Sequence, residues 1–441
     1  MTHRSVDLHV PTLTRVEGEG AMHVTVVDGE VDDVRLEIYE PPRFFEAFLR
    51  GRGFAEPVDI TARICGICPV AYQMSACHAI ESIVDVRPGG AIRELRRLLY
   101  CGEWIESHVL HMAFLHAPDF VGVDSGIEIA RRDPELMAEV LHLKKTGNRI
   151  MEVVGGRPIH PVNVRLGGFY RASSRRELDA LSDDLDRAHA GAVALLRWVA
   201  GFDFPVVPGR LAADTEYVSL RHPDEYPFNE GRVVSNHGLD LDVAEFGERL
   251  REHHVEHSTA LHATLAADGE DRHYQTGPLA RWMNNADVVP ASIRALADEI
   301  GVAEVETNPF RSIMVRGLEV VWAVEEAQRI IRQYDPPAAP FARVPDPVGV
   351  GHGATEAPRG LLYHRYEIDA AGAIADAVIV PPTSQNQHAI ERDLRDFVAS
   401  HLDLDDHSLG HRCEQVIRNY DPCISCATHF LRFEIDRGGG S

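Results

Sequence analysis

The chain has 441 residues, of which 44% are hydrophobic, and a formal net charge of -24. This apolar content supports a sizeable core, and no low-complexity linker divides the chain. The acidic balance argues against a nucleic-acid surface, because phosphate binding needs basic clusters, and no apolar run reaches the roughly 18–20 residues of a membrane-spanning helix.

The amino end, MTHRSVDLHVPTLTRVEGEG, has no apolar h-region and no small-residue cleavage site, which predicts a cytoplasmic protein. Residues 19–40 alternate apolar and polar on either side of Asp28-Gly29, predicting a β-hairpin. Helical periodicity runs around 92–117, 174–200, 242–266, 288–300, 318–333, 389–401 and 409–419, and a second β ribbon is predicted over 361–380. Proline clusters at 203–208 and 336–347 read as loops between helical blocks. The expected architecture is a single domain over 1–441, mainly α with small β ribbons, closing with a segment 421–429 and a tail 430–441.

Seven cysteines are present: Cys65, Cys68, Cys77, Cys101, Cys413, Cys423 and Cys426. An odd count in a chain read as leaderless argues against a disulfide framework. Four of them form two C-x-x-C pairs, in RICGIC and DPCISCATH, near opposite ends. The first pair precedes a helical pattern, and a helix N-terminus, with free N–H groups and a positive dipole end, favours thiolate over thiol. Spacing alone leaves three readings: a structural zinc tetrahedron, two unconnected pairs, or another metal centre joining both ends. Zinc ribbons bring their pairs together over about 15–20 residues, far fewer than separate these.

Other features have plain readings. Taken alone, Glu17 is a solvated charge beside the hairpin. His253 and His257, with Glu256, fall at i, i+4 on the expected helix 242–266 and read as a solvated helix face. His108 and His111 lie in a leucine- and phenylalanine-rich helical stretch and read as packing residues. GVGHGATEAPRG contains a G-x-G-x-G run, but with no clear strand before it and no helix after it the run is a weak dinucleotide fingerprint.

Six segments in chain order, LTRVEGEG, RFFEAFLRGR, RICGIC, GGRPIHPVNVRLGG, EAPRG and DPCISCATH, resemble the motifs of the large, catalytic subunit of [NiFe]-hydrogenases. The resemblance covers nearly the whole chain. It implies a helical bundle whose amino- and carboxyl-terminal ends meet at the active site. It further implies that Cys65, Cys68, Cys423 and Cys426 bind nickel, with Cys68 and Cys426 bridging to an iron that carries carbon monoxide and cyanide. In that reading H2 is cleaved heterolytically, the terminal thiolate of Cys423 takes a proton and Glu17 relays it. Arg359, with Asp119 and Asp421, supplies charged groups above the metals. Pro382 and Thr383, in the VPPTSQN loop, face the iron diatomics, with Ser384 as a second donor. Glu46 and His429 match the ligands of a magnesium ion.

The sequence departs from the pattern of many relatives at Tyr72 and Glu19, where those carry histidine; His78 is a possible substitute for the histidine donor at Tyr72. Many relatives are also trimmed just after the histidine matching His429, whereas FLRFEIDRGGGS follows it here. The CPVAY form is similar to cytoplasmic multisubunit enzymes that exchange electrons with NAD(P). Only Cys77, Cys101 and Cys413 remain after nickel is bound, too few for a four-cysteine iron–sulfur cluster. The implied partners are therefore an iron–sulfur small subunit and flavin- and NAD(P)-binding diaphorase subunits. Rival readings are an H2-sensing relative with the same ligands and a non-catalytic relative, the quinone-site subunit of complex I, which lacks the cysteines.

Overall fold

In the computed structural model, which describes residues 5–207, 212–267 and 269–428, the first hairpin turns at Asp28-Gly29. Both residues take positive φ, 52° and 85°, as a two-residue type I′ turn requires. Strand β1 (Val6–Val10) adds to β2 (Gly20–Val27), which pairs with β3 (Glu30–Ile38), so the sheet gains a strand beyond the predicted hairpin. Met22, Val24, Leu36 and Ile38 form a core with Ile390, Leu394, Val416 and Ile417 from near the other end of the chain.

Nearly half of the described chain is helical, with several small sheets beside the helices. The long helices are α1 (Pro69–Ile83), α2 (Gly90–Leu110), α3 (Pro134–Gly155), α4 (Ser182–Ala200), α5 (Ser312–Gln333), α6 (Pro382–Ser400) and α7 (Asp406–Arg418). Helices α2, α3, α4 and α5 pack on one another around Leu98, Trp104, Ile105, Leu143, Leu195 and Leu318. Helices α2 and α3 meet at Gly102 and Gly147. A Cβ at Gly147 would lie 2.7 Å from the Gly102 carbonyl oxygen, so only glycine allows this approach. Gly147→Ala is expected to destabilise the protein by about 1–3 kcal/mol through overpacking, read as a lower denaturation midpoint; an unchanged midpoint would show that the helices can part freely. Beyond Leu110, α2 runs into a π-helical turn, His111–His116, and a short helix, Ala117–Val121. Such turns tend to mark functional sites.

One helical prediction is wrong. Residues 242–266 contain only a short helix, Val243–Arg249, followed by strands β4 (Leu250–Val255) and β5 (Ser258–Ala267), with β6 (Glu270–Arg272) beyond. His253 and His257 therefore share no helix face. The stretch carries Val255, Thr259 and Thr264, which suit strands, and strand pairing outweighs its weak helical period.

The second ribbon is a three-stranded sheet of order β7 (Gly349–Ala357), β8 (Gly360–Ile368), β9 (Ile374–Val380). The G-x-G-x-G run is thus a strand. Cβ atoms at Gly351 and Gly353 would lie 1.9 and 2.4 Å from the carbonyl oxygens of Ala79 and Ser75, so the glycines let β7 lie directly against α1. Among the described residues no helix is long and apolar enough to cross a membrane.

Candidate metal centre

Cys68 is the N-cap of α1, and Cys423 caps a one-turn helix, Ile424–Ala427. A parallel bridge between Glu17 and Cys423, in which Ile424 N–H donates to the Glu17 carbonyl at 2.9 Å, holds the second pair against the amino-terminal segment. All four sulfurs of Cys65, Cys68, Cys423 and Cys426 lie within 4.8 Å of one another, and all four residues are buried. Cys65 Sγ is 3.5 Å from Cys423 Sγ, and Cys68 Sγ is 3.8 Å from Cys426 Sγ. Burial pushes the Cys423 and Cys426 thiols up, and hydrogen bonds from Cys423, Cys426 and Cys68 hold Cys65 down. Four buried sulfurs cannot all be thiolates without a cation, and a soft metal displaces their protons.

The surroundings fit a bound group with polar ligands. Arg359 Nη1, Asp421 Oδ2 and Ser384 Oγ are buried with no protein hydrogen-bond partner among the described residues. Leaving such atoms unpaired is costly, so partners that the protein does not provide are expected. Burial and the sulfurs of Cys426, Cys68 and Cys423 keep the Tyr72 phenol protonated and able to donate.

Glu17 reaches the centre directly. Cys423 Sγ donates to its Oε2 at 3.0 Å, and Ser425 N–H donates to the same oxygen at 3.1 Å. The carboxylate is partly exposed, so it bridges the buried sulfur and the outside. Thr383 Oγ1 accepts from Cys423 N–H at 3.0 Å; it sits in the first turn of α6, behind Pro382, and not in a loop as expected.

Arg359 lies at the tip of the two-residue β7–β8 turn, which Ala357 and Gly360 close. Its Nε donates to the Asp421 carbonyl at 2.8 Å, and its Nη2 pairs with Asp421 Oδ1 at 3.3 Å. Burial opposes the guanidinium charge, yet Asp421 and the thiolates hold it above its ordinary value. The Asp119 carboxylate is taken by Arg418, at 2.8 and 2.9 Å, and by Arg15. It ties α7 to the amino-terminal segment and holds the chain just before Asp421.

The turn itself rests on Arg281, which donates to the carbonyls of Ala357 and Pro358 at 2.9 Å each. Arg281 also binds Glu319 at 2.7 and 2.8 Å and Glu356 at 3.1 Å, all fully buried. Burial resists the Glu319 charge, but Arg281 overcomes it and pulls this carboxyl from 4.5 to about 2; burial pushes Glu356 up to about 7. The Glu319 contribution to stability is complete above the unfolded value and is lost as pH falls through about 2. Glu356 acts oppositely: its contribution is present below the unfolded value and lost as pH rises through about 7. Arg281→Met strands both carboxylates and is expected to cost about 3–5 kcal/mol, read as a lower urea midpoint; a wild-type midpoint would show that the cluster contributes nothing.

Several residues escaped sequence reasoning. Glu103 is buried, and it accepts from Val70 and Ala71 N–H at 2.6 and 3.2 Å. The first-turn amides of α1, expected to favour a cysteine thiolate, are thus taken by a carboxylate. Arg316 and Arg418 also had no local motif to announce them. His78 does not replace the donor expected at Tyr72, since it lies further along α1 beside Glu81, Arg93 and Glu230. His111 Nε2 is 2.8 Å from the Arg418 carbonyl and His108 Nε2 is 2.9 Å from Glu319, so both pair within the core. The backbone N–H of Glu19 donates to Glu40 at 3.3 Å. Glu46 Oε1 accepts from Ile379 N–H at 2.7 Å, and His429 and the tail 430–441 lie outside the described residues.

Residues 43–140 and 266–429 match the family model described as nickel-dependent hydrogenase. Sulfhydrogenase 1 subunit alpha of Pyrococcus furiosus is 30% identical over 98% of this chain and 100% of its own length. The NAD-reducing hydrogenase HoxS subunit beta of Cupriavidus necator is 27% identical over 96% of this chain and 95% of its own. A crystal structure of an NAD+-reducing [NiFe]-hydrogenase in the H2-reduced state superposes with a TM-score of 0.85 and 27% identity, covering 97% of this chain and 100% of that one. The chain belongs to the nickel-dependent hydrogenase family. Within it, this protein is the catalytic large subunit of a [NiFe]-hydrogenase, an oxidoreductase, and the reading as a non-catalytic relative falls.

Proposed function

We propose that Cys65, Cys68, Cys423 and Cys426 bind nickel, and that Cys68 and Cys426 also hold an iron carrying carbon monoxide and cyanide. When bound, this centre supplies heterolytic cleavage of H2. Cys423 takes the proton at Sγ and Glu17 carries it outward through Oε2, and the 3.0 Å contact between these atoms is the observation that carries the reading. Arg359, fixed by Asp421, directs its unpaired Nη1 as a donor, while Thr383, Ser384 and Pro382 flank the iron ligands. Asp119 acts by positioning. Glu46 and His429 hold a magnesium ion beside the carboxyl-terminal segment.

Residues 1–441 form one catalytic domain in which the two ends meet at the centre. Electrons pass to an iron–sulfur small subunit and on to NAD(P) through diaphorase subunits in the cytoplasm. The NAD+-reducing hydrogenase with the 0.85 TM-score supports this electron route. The test is metal analysis with infrared spectroscopy of the purified complex, followed by H2-dependent NAD(P)+ reduction. Nickel and iron with carbon monoxide and cyanide stretches are expected; zinc alone would overturn the proposal. Fast turnover favours the enzyme, and slow turnover with intact infrared bands would favour an H2 sensor.

A further inference from the structure

A second group of metal-ligating side chains lies outside the cysteine centre. His257 sits at the β4–β5 turn, His262 in β5 and Glu391 in α6, and one ligand atom from each lies within 4.8 Å of the others. Three separate elements supply them, so no local motif announces the group. We propose that His257, His262 and Glu391 bind one divalent cation of the zinc class, with a further position open to water.

His257 Nε2 is 2.8 Å from Glu391 Oε1, and an ordinary ion pair would account for that contact alone. It does not account for His262. This residue is only 8% exposed, its Nε2 has no hydrogen-bond partner among the described residues, and its ring lies 5.7 Å from that of His257. Burial pulls its pKa down to about 4, leaving a neutral imidazole with a lone pair to give. Glu391 Oε1 also accepts from Leu36 N–H at 3.0 Å, which orients the carboxylate as outer hydrogen bonds orient ligands at metal sites.

Two imidazoles and one carboxylate suit zinc, whose three-ligand sites keep a position open. Magnesium and calcium take mostly oxygen ligands, for which two imidazoles and a single carboxylate are a poor shell, and copper(I) prefers sulfur. The stacked rings of His273 and His388, 3.4 Å apart, lie near enough to interact electrostatically with His262. By contrast, His222, Glu225 and Glu230 also converge, but Arg93 and Arg97 already neutralise those carboxylates. A cation at His257, His262 and Glu391 would clamp the β4–β5 turn to α6, whose first turn carries Thr383.

The test uses the purified hydrogenase complex with its Ni–Fe centre confirmed by infrared spectroscopy, stripped of loose metal with EDTA and then titrated with ZnCl2 against a chromophoric chelator. One zinc per large subunit is expected beyond the centre. His262→Gln and Glu391→Gln should each weaken its binding by at least about tenfold, since even outer-shell changes cost 10–100-fold, with infrared bands unchanged; His254→Gln should bind as wild type does. If one variant fails to fold, the other decides. No added zinc in the wild type, or equal uptake by the folded variants, would overturn the proposal.

Discussion

Cys426→Ala is expected to abolish H2 turnover and to remove most of the nickel and iron. The residue is buried, and its sulfur lies 3.8 Å from Cys68 Sγ and 2.6 Å from Cys423 Sγ, so it belongs to both sides of the cluster. In the proposed role it bridges two metals, and no other cysteine is placed to take over. Cys77, Cys101 and Cys413 are buried away from the four-sulfur group, which gathers only Cys65, Cys68, Cys423 and Cys426 among the described residues. Metal content by mass spectrometry and H2-dependent dye reduction are the measurements. Wild-type nickel with wild-type turnover would remove Cys426 from the centre. Because a metal that binds only the folded chain stabilises it, the variant should also melt at a lower temperature than the loaded wild type.

Glu17→Gln is expected to lower turnover by about 10²- to 10⁴-fold, the usual size of a lost proton-transfer group. Glutamine retains an acceptor for Ser425 N–H, so the local backbone should hold, but it cannot accept and release the proton of Cys423. Nickel, iron and infrared bands should match those of the wild type, which separates a blocked proton path from failed assembly. Glu17→Asp should recover part of the activity, because a shorter carboxylate still titrates. A Glu17→Gln protein that keeps more than half of the turnover would place the proton path elsewhere.

Local patterns already disclosed much of this arrangement. Asp28-Gly29 announced its hairpin because only a narrow set of residues tolerates two positive φ angles in succession. Most of the long helices were legible in their apolar period, although Pro134–Gly155 was missed, and the two C-x-x-C pairs, with the segments around them, pointed to a metal centre. In each case neighbouring residues carry the whole signal.

Pairings across long sequence distances were not legible. Asp119 meets Arg418 and Arg15, and Glu103 takes the first-turn amides of α1. Neither choice leaves a mark in the residues beside it, because each depends on how α2 packs against other elements. The stretch 250–267 failed for a related reason: its period was ambiguous, and strand pairing decided between helix and sheet. The chain alone therefore pointed to the candidate cysteine ligands and to most helices, since chemistry and short-range periodicity are local. Tertiary packing decided which sulfurs, carboxylates and guanidinium groups share a site, and it alone gathered His257, His262 and Glu391, because burial and charge pairing are settled only when distant segments meet.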